Sequence, residues 1–146
     1  MPGPERWRDV SRPPAAAVPV WPGDRGLAID TVIDGRVRVS AFSTTCHVGT
    51  HLDAPLHFDP EGVAVEAVPM ARLIGPAEVV RTQGARGPIG VGALPLGWRP
   101  AAPRLLLRTD SWPLGATIGP GFASLSVELV EALHGLGVAT VGIDTP

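Results

Sequence analysis

From Arg36 to Phe42 the side chains alternate, with Val37, Val39 and Ala41 set against Arg36, Arg38 and Ser40. A period of two sends the two sets to opposite faces, so this stretch is predicted to be a half-buried strand. Ile29 to Ile33 is a second strand, and Asp34-Gly35 between the two is a tight hairpin signal. Two apolar runs with charged ends, Ala77 to Arg81 and Arg104 to Arg108, are predicted to be buried strands. The Gly- and Pro-rich residues 82–103 between them are predicted to be mostly loop. Trp7 to Arg12 is predicted to be a short strand ended by Pro13-Pro14, and Val18 to Asp24 an extended segment turning at Pro22-Gly23.

The period changes near the C-terminal end. Ser124 or Ser126 can cap a helix that runs to about Leu136 and stops at Gly137. Leu129, Val130, Leu133 and Leu136 form its apolar stripe, with Glu128 and Glu131 opposite. His134 lies on the flank of that stripe and is read as a surface or boundary residue rather than a ligand. Val138 to Ile143 then reads as a buried strand, and this strand–helix–strand order points to a mixed α/β fold. No internal repeat or linker interrupts the chain, so residues 1–146 are read as one domain.

Composition narrows the function classes. Hydrophobic residues make up 45% of the chain, enough for a packed core. The 18 glycines and 17 prolines are scattered among apolar runs, which suits many short elements joined by tight turns. Twelve basic against 14 acidic residues, a net charge of −2, gives no electrostatic case for nucleic acid or an anionic membrane. No apolar run reaches the 18 or so residues of a membrane span. Met1 to Arg6 lacks the basic-then-apolar pattern of a signal peptide. The single Cys46 excludes a disulfide framework, so a cytoplasmic location is expected. Cys46 itself is read as a small buried hydrophobe.

The candidate chemistry is concentrated in His47-Val48-Gly49-Thr50-His51-Leu52-Asp53-Ala54-Pro55-Leu56-His57, which holds three of the four histidines. Imidazole and carboxylate suit zinc and its first-row neighbours. Gly49 and Pro55 disfavour a regular helix. Fully extended, His47 and Asp53 would lie roughly 20 Å apart. The chain must therefore fold back, and Gly49 and the Ala54-Pro55 step are the bends expected to allow it.

This run resembles the signature of the metal-dependent cyclase-like hydrolases, and Trp21-Pro22-Gly23-Asp24 tilts the resemblance toward their kynurenine formamidase (arylformamidase) branch. Trp7-Arg8-Asp9-Val10-Ser11 is similar to that family's opening strand, and Pro19-Val20-Trp21-Pro22-Gly23-Asp24 to its Trp-Pro-Gly-Asp loop. Gly75-Pro76, Leu106-Leu107-Arg108-Thr109 and Val141-Gly142-Ile143-Asp144-Thr145-Pro146 also match, so the resemblance runs along the whole chain.

The resemblance implies a swivelling β/β/α-type cyclase-like α/β domain with a mixed sheet and few helices, assembled as a homodimer. It implies two zinc ions, with manganese or iron as alternatives. His47, His51 and Asp53 would be metal ligands, with Asp53 bridging to the second ion, and His57 would be the general acid/base. Trp21 would line the substrate pocket; read alone, it is equally well a core anchor. The family carries a further C-terminal part that supplies a histidine and a glutamate to the second ion, so residues 1–146 are expected to be C-terminally incomplete.

The implied reaction is hydrolysis of N-formyl-L-kynurenine to L-kynurenine and formate in tryptophan degradation. Such a reaction needs an activated water and a proton for the departing amine, and a histidine of ordinary pKa about 6.5 suits proton transfer in both directions. Alternatives are a cyclase-like hydrolase of another small amide or lactone, and a catalytically silent truncated form.

Overall fold

In the computed structural model, which describes residues 7–13, 15, 17–82, 84–113 and 115–146, the alternating residues form a hairpin. Met1 to Arg6 and Pro14, used above for the leader and strand-end readings, lie outside the described residues. The chain divides into two compact units, Met1–Leu52 and Asp53–Pro146.

In the first unit, β1 (Ala28–Asp34) pairs antiparallel with β2 (Val37–Ser43), with Ala28 opposite Ser43 and Asp34 opposite Val37. Gly35 takes a φ of +57° in the two-residue turn, a conformation open to glycine at little cost. Residues directly opposite share a face. Val32 with Val39 and Asp34 with Val37 lie on one face, while Ile29 with Phe42 and Thr31 with Ser40 lie on the other. The hydroxyls of Thr31 and Ser40 are hydrogen-bonded at 3.0 Å.

Every residue of both strands is exposed, which corrects the expectation of a half-buried strand. Alternation forms the ribbon, but among the described residues of this unit no third strand or helix covers either face. Trp7 to Arg12 is not a strand either. The Asp9 carboxylate accepts the Ser11 N–H at 2.8 Å, a local turn that competes with extended pairing. At Trp21-Pro22-Gly23-Asp24 the Asp24 N–H donates to the Trp21 carbonyl at 2.9 Å, and Gly23 has a φ of +98°. Pro and Gly there take the two central places of a type II turn.

The second unit holds the buried core. After a short helix α1 (Met70–Leu73) come β3 (Glu78–Arg81), β4 (Gly87–Ile89), β5 (Arg104–Arg108), β6 (Ala123–Leu125), α2 (Val127–Gly135) and β7 (Thr140–Ile143). β3, β5 and β7 form a parallel sheet in the order β3-β5-β7, and β4 pairs parallel with β6. Parallel and antiparallel pairs with few helices make the mixed α/β class that the sequence predicts. The core joins Val80, Leu105 and Leu107 of the sheet to Ile89, Ala123, Val138 and the helix residues Leu129 and Leu133. β4 and β6 fall where a loop and a helix cap are predicted, because three-residue strands are too short to show a period. Gly142 faces Leu106 across the sheet, and a Cβ there would sit 2.8 Å from Leu106 Cδ2.

α2 has the ends predicted for it. Ser126 Oγ accepts the Leu129 N–H at 3.2 Å, satisfying one of the donors a helix start leaves open. At its other end Gly137 has a φ of +82°, its N–H donates to the His134 carbonyl, and the Val138 N–H donates to the Leu133 carbonyl. These two bonds make a Schellman closure. The apolar stripe is narrower than predicted, since Val130 is 43% and Leu136 38% exposed.

One carboxylate fastens the ends of β5 and β7. Asp144 accepts the Thr109 N–H at 2.9 Å, the Thr109 hydroxyl at 2.6 Å and the Asp110 N–H at 2.9 Å. Ser111 Oγ lies 2.8 Å from the Thr109 hydroxyl and accepts the Ala123 N–H at 2.8 Å, so the network reaches β6. Partial burial pushes the Asp144 carboxyl upward, but the bonds from Thr109 and Asp110 outweigh it and hold the group below the ordinary carboxylate range. A carboxyl depressed on folding stabilises above its unfolded pKa of about 3.9 and loses that contribution as acid protonates the folded form. Asp144→Asn is therefore expected to lower the melting temperature at pH 7 and to narrow its gap from the unchanged chain below about pH 4. Equal melting temperatures at pH 7 would contradict this role.

Candidate metal centre

The loop after β2 turns sharply. The Thr45 N–H donates to the Arg25 carbonyl at 2.9 Å, and the Arg12 N–H donates to Thr50 Oγ1 at 2.8 Å. Between these ties Gly49 takes a φ of +65°, where a Cβ would be strained. The result is local convergence: one ligand atom each from His47, His51 and Asp53 lies within 4.8 Å of the others. The His47 and His51 rings meet edge-on, with centroids 5.0 Å apart and planes at 82°. His47 is half-buried, and His51 and Asp53 are exposed.

The donor set fits a first-row divalent metal. Ligands at 2.0–2.2 Å around a tetrahedral ion stand about 3.4 Å apart, and the three atoms lie within 4.8 Å of one another. His51 is already oriented for it, since its Nδ1 lies 2.9 Å from the Gly49 carbonyl oxygen. A carbonyl can only accept, so Nδ1 is the donor of this bond and Nε2 is the nitrogen that would face a metal.

His57 is held differently and stands outside that group of three. It ends a 3₁₀ turn, Pro55–His57, and its ring lies 4.3 Å from that of Phe58 at 67°. The His57 N–H donates to the Ala54 carbonyl at 2.9 Å and the Leu56 N–H to the Val63 carbonyl at 3.1 Å. Gly62 makes this fold possible, because a Cβ there would come within 2.6 Å of the Pro55 carbonyl carbon and 2.8 Å of the Leu56 nitrogen. Sequence reasoning missed Gly62. Its signal was the turn composition Asp59-Pro60-Glu61-Gly62, which says that the chain turns but not what it turns against.

The remaining candidates divide. Trp21 is 54% exposed at its turn and does not line the concavity of about 470 Å³ in its own unit. Cys46 is exposed, which corrects its reading as a buried hydrophobe; it sits in the turn after β2, outside any core. His134 is exposed on α2 and takes no part in the ligand group. No helix among the described residues is long and apolar enough to cross a membrane.

Protonation at His51 gives a direct check. At pH 8 and without metal, nitrogen-resolved NMR of the histidine side chains should find His51 as the Nδ1–H tautomer. A dominant Nε2–H form would contradict the arrangement.

The family model described as "Putative cyclase" matches residues 8–146. Among solved structures, the predicted metal-dependent hydrolase from Bacillus stearothermophilus superposes with a TM-score of 0.66 at 24% identity, over 94% of this chain and 67% of that one. A potential metal-dependent hydrolase with cyclase activity gives 0.65 at 22% identity over the same shares. Likeness at these identities carries the fold.

Proposed function

The chain belongs to the cyclase family, and on that footing we propose that it is a metal-dependent hydrolase of the arylformamidase type. The proposed reaction is hydrolysis of N-formyl-L-kynurenine to L-kynurenine and formate, in the cytoplasm. The observation that carries the reading is the convergence of His47, His51 and Asp53 within seven residues of chain. Two structures of the same fold, described as a predicted and a potential metal-dependent hydrolase, support it.

In this proposal His47 and His51 would hold the ion through ring nitrogens and Asp53 through its carboxylate. Zinc is the first candidate, with manganese and iron suited to the same donors. When bound, such an ion supplies Lewis acidity and a water acidified toward neutral pH. His57 takes a proton from the attacking water and delivers it to the departing aryl amine nitrogen. Trp21 offers a flat face to the substrate's ring. The second reading, hydrolysis of another small amide or lactone, is favoured by the cyclase activity ascribed to one structural neighbour.

Separating proton transfer from metal holding tests this reading. His57→Ala is expected to lower kcat on N-formyl-L-kynurenine by about 10²–10⁴ with metal content unchanged. Loss of the metal along with activity would make His57 a ligand and overturn the assignment.

A homodimer is part of the same proposal. Val32, Val37 and Val39, each at least 59% exposed on one face of the hairpin, are the surface we assign to the second copy. Light scattering should report a dimer that Val39→Asp converts to a monomer. A monomeric unchanged chain would contradict it.

A further inference from the structure

Two arginines stand side by side on one face of the parallel sheet. Arg81 ends β3, Arg108 ends β5, and the two are register partners. Neighbouring strands lie roughly 4.8 Å apart, so the two side chains leave the sheet as close neighbours. Like charges set directly opposite one another destabilise a strand pair. Both side chains remain at the surface, 57% and 55% exposed.

A single carboxylate answers both cations. Asp110 Oδ2 lies 3.4 Å from Arg81 Nη2, and Asp110 Oδ1 accepts the Arg108 Nε–H at 2.8 Å. Asp110 reaches back to do so with a φ of +54°, the one non-glycine residue with positive φ among those described. Asp144 brings a second negative charge close by, but its bonds go to Thr109 and to the Asp110 N–H. The other N–H groups of both guanidiniums have no partner among the described residues. One step back along the strands the same face is apolar, since residues two apart on a strand share a face. There Val79 pairs with Leu106, and Leu106 with Gly142. Val79 is 64% exposed, and Leu106 leans over Gly142, where a Cβ would come within 2.8 Å of Leu106 Cδ2.

We propose that this face binds a small carboxylate with an apolar body, its carboxylate between Arg81 and Arg108 and its body against Val79 and Leu106. The planar fork of a guanidinium matches a carboxylate, and two of them leave room for a second one beside Asp110. Parallel sheets are normally covered on both faces, and the charge and the apolar row of this one define what covers it here. Asp110 holds the arginines together when the ligand is away and competes with it when it arrives. The site draws only on the sheet of the second unit, so it stands or falls apart from the hydrolase reading.

The test is an NMR titration of the chain with benzoate, acetate and phosphate at constant ionic strength, read at the arginine Nε–H signals. Benzoate should move the Arg81 and Arg108 signals saturably. It should bind more tightly than acetate, which has no body for the apolar row, and more tightly than phosphate. Arg81→Gln and Arg108→Gln should each weaken benzoate about tenfold, the scale of one lost charge-assisted hydrogen bond. Arg36→Gln, at the exposed hairpin turn, should leave it unchanged.

Two further variants read the parts separately. Asp110→Asn removes the competing carboxylate, keeps a residue that tolerates positive φ, and should tighten benzoate, a gain that damage to the fold cannot produce. Val79→Ser should shrink the advantage of benzoate over acetate. Shifts that rise with benzoate without saturating, the same weakening in Arg36→Gln as in Arg81→Gln, or phosphate bound as tightly as benzoate would each overturn the site.

Discussion

Three ligand atoms drawn from seven consecutive residues approach within 4.8 Å only if the backbone reverses between them, and Gly49 is where it does. Its left-handed φ is open to glycine and costs other residues about 1–2 kcal/mol. The reversal also brings the Gly49 carbonyl to 2.9 Å from His51 Nδ1, so one backbone feature sets the position of this ring. Bonds from Thr45 to Arg25 and from Arg12 to Thr50 hold the loop on either side of the bend. The site is built from backbone geometry first, and the side-chain chemistry follows from it.

Local signals in the sequence were read well where physics is local. Period-two alternation and Asp34-Gly35 marked the hairpin, and Ser126 and Gly137 marked the ends of α2 because caps act within a few residues. The candidate group was legible for the same reason: His47, His51 and Asp53 fall within seven residues and are of types that packing rarely gathers. What alternation cannot report is what covers a strand, and so the exposed hairpin was misjudged as half-buried. Trp7 to Arg12 failed because a side-chain turn at Asp9 competes with pairing, a choice that depends on an available partner strand.

Contacts through space were invisible. Nothing in the chain announces that Arg12 will meet Thr50, 38 residues away, or that Gly62 will press on the backbone of Pro55 and Leu56. The Asp144 network is a further case. Asp144 belongs to a motif matched by resemblance, yet only the structure shows its carboxylate gathering two backbone N–H groups and the hydroxyl of Thr109 at the ends of β5 and β7.

What is proposed for this chain turns on whether the histidine loop holds a metal. Zinc titration followed by calorimetry, on the unchanged chain and on a His47→Ala/His51→Ala variant of unaltered melting behaviour, tests it most directly. At least one equivalent should bind tightly to the unchanged chain and none to the variant. Equal binding by both would place the metal elsewhere and contradict it.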